Sequence, residues 1–406
     1  MKRAVARQMV GSVLGAVSSV LGSILVFIAA GKALGPELFG TFALTYAIIS
    51  LLGLIFDFGY PVSFLRNTRK PADNSPGELP KQALGLKVAL FVVLTPFAVG
   101  VPFLTGTNLL VGMVLWVGLS LISLGNFYST MLRAIGLHSK DAVNLFISNF
   151  AGLVVAGVTY FAWPEGLGFS FVFATIGVVY CTLTMRLWTG HFRLSGGRFV
   201  WADILVEMRK NFVYMLDAMG RRSFGFFDVA ILGLFAPFET VGLYQAAQKV
   251  TQGVSIFAQP FNNVLLPRLS QSAGDVATFN RKARTAFVAQ LFFGLAAGAV
   301  LVVLGPSILS WLFSEAFMPA AELFSYFAAL IMLRYATSAL KISKTAQGFF
   351  RERLYANLFS VAALLVIGPV LTYVANVKGL LVGLILSNVL GSVVLILLTR
   401  QRPVSK

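Results

Sequence analysis

Phe39-Gly40-Thr41-Phe42 and, 202 positions later, Val241-Gly242-Leu243-Tyr244 are the two stretches that decide how this chain is built. Other landmarks repeat at the same offset. Arg7 falls on Arg209 and Leu65-Arg66 on Pro267-Arg268, while Pro36 and Pro237 differ by one residue, a slip that a loop tolerates. Both copies are embedded in long apolar sequence. Chains made of two similar membrane halves place a substrate site between them. The repeat therefore points toward transport before any motif is read.

Composition sets the class. Of 406 residues 57% are hydrophobic and 12% charged, against roughly 25% charged in soluble domains, and mean hydropathy is +0.83. The apolar residues fall in runs long enough to cross a hydrocarbon core of about 30 Å as helices. Twelve spans are predicted: 9–31, 38–63, 83–104, 108–131, 142–163, 167–188, 212–235, 241–266, 285–305, 319–340, 354–374 and 378–399. Runs of this length leave no room for a barrel, whose strands alternate over about ten residues. The expected fold is an all-α polytopic membrane protein with two six-helix bundles, residues 1–200 and 201–406. Met1-Lys2-Arg3 and Arg7 ahead of the first apolar run also fit a secretory leader. That run exceeds a leader's core of about 7–15 residues, and its removal would break the six-plus-six repeat.

Charge gives orientation. Most of the 32 Lys and Arg residues sit at the N-terminus and in alternate links, including Arg66, Arg69, Lys70, Lys81 and Lys87 between the second and third spans. The opposite side has only Lys32 and Lys378. The positive-inside rule then places both termini in the cytoplasm. An even number of spans satisfies this, and like-oriented halves are related by an axis along the membrane normal. The net charge of +17 is thereby explained by loops facing anionic lipid headgroups, not by nucleic acid.

Enzyme signatures are thin. The outer loops are short, and no linking segment is long enough to fold alone. Cys181 is the single cysteine and lies in an apolar span, so no disulfide or cysteine-based metal cluster is expected. His138 and His191 are isolated in links, without an H-E-x-x-H pattern or a paired carboxylate. Neither a metal nor a cofactor is expected. The small-residue pairs at 11 and 15, 294 and 298, and 379 and 383 fit close helix packing.

Polar residues inside the spans carry more information, because a charge at bilayer depth costs roughly 2.5–3.5 kcal/mol and so faces protein or water. The seventh span holds Asp217, Arg221, Arg222 and Asp228. Asp217 and Arg221 are four apart and can pair on one face. Arg222 is rotated away, and helix counting puts both arginines near mid-membrane and Asp57 near the inner end. In the eighth span Gln245, Gln248, Lys249, Gln252, Gln259 and Asn263 fall within an arc of about 100° at 100° per residue. The tenth adds Arg334, Thr337, Ser338, Lys341 and Thr345. A site net positive and rich in amide donors suits an anion such as a diphosphate, with sugars on Gln and Asn. The competing reading of the stripe is interhelical hydrogen bonding.

The stretch Leu34-Gly35-Pro36-Glu37-Leu38-Phe39-Gly40-Thr41-Phe42, with Asp57-Phe58-Gly59 and Arg66, resembles the opening of bacterial polysaccharide and O-antigen flippases. So does the second copy, from Asp228-Val229-Ala230-Ile231-Leu232-Gly233 through Gly242-Leu243-Tyr244 to Leu266-Pro267-Arg268. These flippases belong to the multidrug/oligosaccharidyl-lipid/polysaccharide exporter superfamily. The resemblance implies flipping of undecaprenyl-diphosphate-linked oligosaccharide, an O-antigen or exopolysaccharide repeat unit, across the bacterial inner membrane by alternating access. It also implies the pathway's polymerase and chain-length proteins as partners. In that frame Arg221, Arg222 and Lys249 hold the diphosphate and Arg334 and Lys341 capture it first. Gln245, Gln248, Gln252, Gln259 and Asn263 then meet the sugars. Asp57, Asp217 and Asp228 are either ion-coupling carboxylates or counter-ions. The rival functions are multidrug export and membrane-embedded polysaccharide polymerase or ligase chemistry.

Overall fold

The computed structural model describes residues 2–67, 77–79, 81–194, 201–255, 265, 269–272 and 275–400. Among these the chain is almost wholly helical, as its composition requires. Helix α1 (Lys2–Asp57) breaks at Gly35, whose φ of 72° suits glycine alone. Pro36 then starts the second half with a fixed φ and no N–H to lose. The last helix, α12 (Phe350–Arg400), breaks at Ala375 and Asn376. With 56 and 51 residues at about 1.5 Å each, both are more than twice the length of one membrane crossing and account for two spans apiece.

Between them run α2 (Tyr60–Asn67), α3 (Lys81–Thr105), α4 (Leu109–Ala134), α5 (His138–Ala162), α6 (Gly166–Thr189), α7 (Trp201–Arg222), α8 (Phe224–Phe235) and α9 (Phe238–Val254). Then come α10 (Val276–Leu312), a 3₁₀ stretch (Glu315–Leu323) and α11 (Phe324–Ala346). Helices α3 to α6 match the third to sixth spans. The seventh is α7 and α8 together, and α9 begins the eighth, whose remainder lies outside the described residues. Among the described residues, helices thus account for eleven of the twelve predicted spans and begin the eighth, in a membrane protein whose spans are all α. Side chains such as Phe161 and Tyr373, 85% and 80% exposed, would be an aggregation hazard in water and suit lipid.

One local expectation is corrected, and two features lie beyond what was expected. The second span does not run unbroken to residue 63; it stops at Asp57 and resumes as α2 after a two-residue turn. The link between the sixth and seventh predicted spans, residues 189–211, is part helix, its second part being the start of α7. Its first part supplies β2 (Phe192–Leu194), which pairs in parallel with β1 (Gly77–Leu79), Gly77 opposite Phe192. Two links from different parts of the chain thereby satisfy each other's backbone groups outside the spans, which the hydropathy pattern does not encode.

The chain divides into two compact units, residues 1–34 with 41–226, and residues 35–40 with 227–406. In the first, α7 packs on α2 and α3. A cluster of Phe58, Tyr60, Phe127, Tyr128, Trp188, Phe192 and Met215 forms its core, with Tyr60 and Phe127 ring centroids 5.2 Å apart in a T-shaped pair. In the second, α10 packs along α11 through small residues: a Cβ on Gly294 would touch Met332 and Tyr335, and one on Gly298 would touch Ala328. The same unit contains the meeting of the two repeat copies. Gly40 lies against the backbone of Phe238 and Gly242, and Gly242 against the backbone of Pro36 and Gly40.

Candidate functional site

The site in the first unit is built by the turn Asp57-Phe58-Gly59. Phe58 and Gly59 take φ of 48° and 71°, ending α1 and burying the Phe58 ring in the core. A Cβ at Gly59 would overlap the backbone of Tyr214 and Met215, so only glycine permits both the turn and this approach of α7. Arg222 lies seven residues, about two helical turns, beyond Met215. The turn thus brings Asp57 and Arg222 together, with Arg222 Nη1 3.6 Å from Asp57 Oδ2.

The other oxygen of Asp57 faces inward. Oδ1 accepts a hydrogen bond from Ser123 Oγ on α4 and lies 3.7 Å from Lys87 Nζ on α3. Lys87 is 3% exposed and donates to Phe56 O at 2.8 Å and to Ser123 Oγ at 3.1 Å. Its Nζ is 4.2 Å from the Phe56 ring centroid, a cation–π contact in a dry setting. On the other side of Asp57 is a cavity of about 350 Å³, lined by Tyr46, Ser50, Leu119, Asn126, Arg222 and Phe226 among others. Mostly apolar walls with a few convergent polar groups are the usual form of a ligand pocket. The Arg222 side chain is 58% exposed and makes no hydrogen bond to a protein acceptor among the described residues.

Arg221 behaves differently from its neighbour. It pairs with Asp217 at 2.7 Å along α7, as the four-residue spacing predicts, and its Nε donates to Asp217 O. Asp217 itself is 1% exposed. Helix counting places Arg222 and Asp57 in different spans without showing that they meet, and the structure brings their side chains into contact. Counting assumes straight helices, whereas α1 ends at Asp57 and the seventh span breaks after Arg222.

Lys249, Arg334, Lys341, Gln245, Gln248, Gln252 and Asp228 belong to the second unit. Asp228 is fully buried. Its carboxylate accepts from Tyr244 OH at 2.7 Å, Gln248 Nε2 at 2.8 Å and the Val229 N–H at 2.7 Å. Gln248 is thereby engaged with a carboxylate. Gln245 and Lys249 are buried, and Lys249 Nζ donates weakly to Gln252 Oε1 at 3.4 Å. Arg334 is exposed and Lys341 half-buried. Gln259 and Asn263, the end of the predicted stripe, lie outside the described residues.

Two buried charges are not singled out by the sequence: Lys87, grouped there with the basic residues of a link, and Asp141, one position before the predicted fifth span. Lys87 sits inside the predicted third span, and that position was the available signal. Asp141, 3% exposed, accepts from Ser129 Oγ at 2.6 Å and Tyr180 OH at 3.1 Å and faces Arg133 at 3.5 Å. No group of three or more His, Cys, Asp or Glu side chains able to hold a metal occurs among the described residues.

The fold is similar to that of solved transporters. An inward-facing multidrug resistance MATE family transporter of the MOP superfamily is 16% identical, with a TM-score of 0.67 over 98% of this chain and 94% of that one. An outward-facing MATE structure gives 15% and 0.66, over 99% and 95%. The lipid II flippase MurJ in an inward closed conformation gives 13% and 0.69, over 99% and 88%. Identities this low carry the fold alone. No curated protein matches the chain in sequence. The profile of the family described as "Polysaccharide biosynthesis protein" matches residues 6–273, more than half of the chain and both copies of the repeat motif. This polytopic helical membrane protein therefore belongs to the polysaccharide biosynthesis protein family.

Proposed function

We propose that this protein is a flippase that moves an undecaprenyl-diphosphate-linked oligosaccharide from the cytoplasmic to the outer leaflet of the bacterial inner membrane by alternating access. It performs no covalent chemistry. Arg222 is the diphosphate anchor in the first unit, and Arg334 and Lys341 are capture residues in the second. Gln245 and Gln252 serve the glycan, Gln248 being engaged with Asp228. Lys249 and Arg221 help to hold the diphosphate and Gln259 and Asn263 serve the glycan, while Asp57, Asp217 and Asp228 act as counter-ions. Both termini face the cytoplasm.

The observation that carries this reading is a half-exposed guanidinium beside a cavity, in a chain of the polysaccharide biosynthesis family. A diphosphate stripped of water needs charge-assisted donors, and a guanidinium presents two at once in a plane. The isoprenoid tail has no polar requirement and can stay in lipid. An organic-cation exporter would need the opposite sign at this place.

The test is reconstitution of purified protein into liposomes with a fluorescent lipid-linked oligosaccharide in the inner leaflet. Protein-dependent appearance of the unaltered glycan in the outer leaflet supports the reading. A longer glycan or a product transferred to a new acceptor would make the protein a polymerase or ligase instead.

A further inference from the structure

We propose that Lys87, which does not line the cavity, is the positioning residue that keeps Arg222 available to an anionic ligand, by satisfying the carboxylate that would otherwise hold it. The inference rests on Arg222 as the anion anchor and concerns what sets its availability.

The two oxygens of Asp57 have different surroundings. Oδ1 is fixed by Ser123 and Lys87, and Oδ2 meets Arg222 at 3.6 Å, an ion contact too long for a hydrogen bond. Lys87 is 3% exposed and held by Phe56 O, Ser123 Oγ and the Phe56 ring. It is not among the residues that line the cavity. Arg222 is 58% exposed on the cavity side. One carboxylate therefore faces two cations, and the surplus charge resides on the movable one.

Without Lys87, Asp57 would be a buried carboxylate short of its counter-charge. Uncompensated buried charge is costly, and Arg222 is the other cation within ion-pair range of it among the described residues. The guanidinium would close on the carboxylate as a two-pronged pair. A phosphate entering the cavity would then have to break that pair before binding.

This release differs from simple attraction by a nearby positive charge. Attraction alone predicts the same loss of anion affinity when Lys87 is removed, whether or not Asp57 is present. Release predicts a loss only while Asp57 is there to capture Arg222. A double-mutant cycle separates the two.

The experiment measures binding of farnesyl diphosphate, a short prenyl diphosphate probe, to the full-length protein in detergent by titration calorimetry. Lys87→Met is expected to weaken binding about tenfold, and Asp57→Asn to leave it equal or tighter. Lys87→Met/Asp57→Asn is expected within about threefold of Asp57→Asn. Wild-type affinity in Lys87→Met, or a loss of about tenfold between Asp57→Asn and the double variant, overturns the proposal. Should Lys87→Met fail to fold, the second comparison still decides, because the double variant holds neither buried charge and in Asp57→Asn the Lys87 ammonium keeps its hydrogen bonds to Phe56 O and Ser123 Oγ. Arg222→Gln keeps the two ideas apart. If wild type does not bind the probe, or Arg222→Gln binds it as wild type does, the anchor and this inference fall together. If binding depends on Arg222 but not on Lys87, this inference alone falls.

Discussion

Gly40 and Gly242, 202 positions apart in the chain, lie against each other in equivalent ways. A Cβ on Gly40 would run into the backbone of Phe238, four residues before Gly242; a Cβ on Gly242 would run into the backbone of Pro36, four residues before Gly40. Pro36 and Phe238 are themselves 202 apart. The repeat in the sequence is thus a repeat in contact, and each copy needs its glycine for the same reason. Close approach of two helix backbones in a membrane requires small residues at the crossing.

Gly40→Ala and Gly242→Ala are each expected to lower the thermal midpoint of the detergent-solubilised protein, at a cost of about 1–3 kcal/mol for an overpacked contact. Because the two methyl groups meet the same crossing, the double variant should cost less than the sum of the singles. Melting followed by fluorescence-detected size exclusion measures this. Two singles that melt with wild type would mean that the helices can separate at no cost.

Arg222→Gln removes the charge beside the cavity, and Arg222→Lys keeps the charge but loses the planar donor pair. Glycan export by Arg222→Gln is expected to fall at least about tenfold, with Arg222→Lys intermediate. Complementation of a strain lacking its native flippase, with membrane levels checked by immunoblot, reads this directly. Full-rate export by a normally inserted Arg222→Gln protein would falsify the anchor assignment.

Tyr244→Phe deletes a donor to a fully buried carboxylate and leaves Asp228 with Gln248 and its local N–H. A cost of about 1–3 kcal/mol in stability is expected for the lost partner, with glycan transport at permissive temperature close to wild type. The informative contrast is transport in liposomes with and without an ion gradient. If Asp228→Asn abolished only the gradient-dependent part, Asp228 would be a coupling residue rather than a counter-ion.

Orientation is tested in a Cys181→Ala background, the native thiol being buried. Glu37→Cys and Glu315→Cys are both at exposed positions on the outer side by the charge rule. Each should react with a membrane-impermeant maleimide added to intact cells. Reaction only after the cells are opened would reverse the topology.

How far the sequence alone could be read is clear from particular residues. Hydropathy and length gave the twelve spans, because no water is available in a bilayer to satisfy an open backbone and a long apolar run must be helical. The break at Gly35-Pro36 and the Asp217–Arg221 pair were likewise local, since a positive φ and a spacing of four residues are settled within a turn or two of chain. What the tertiary structure decided was which charges meet. Lys87 and Asp57 are 30 positions apart, and Arg222 is 165 beyond Asp57. Their arrangement depends on Gly59 admitting the backbone of α7, and that packing relation is invisible in any one helix. The polar stripe of α9 shows the same division. Its periodicity was legible, but its partner was not, because Gln248 turns to Asp228, a residue of another helix. Local sequence fixes the helix and its faces; only the packed neighbours fix what each face touches.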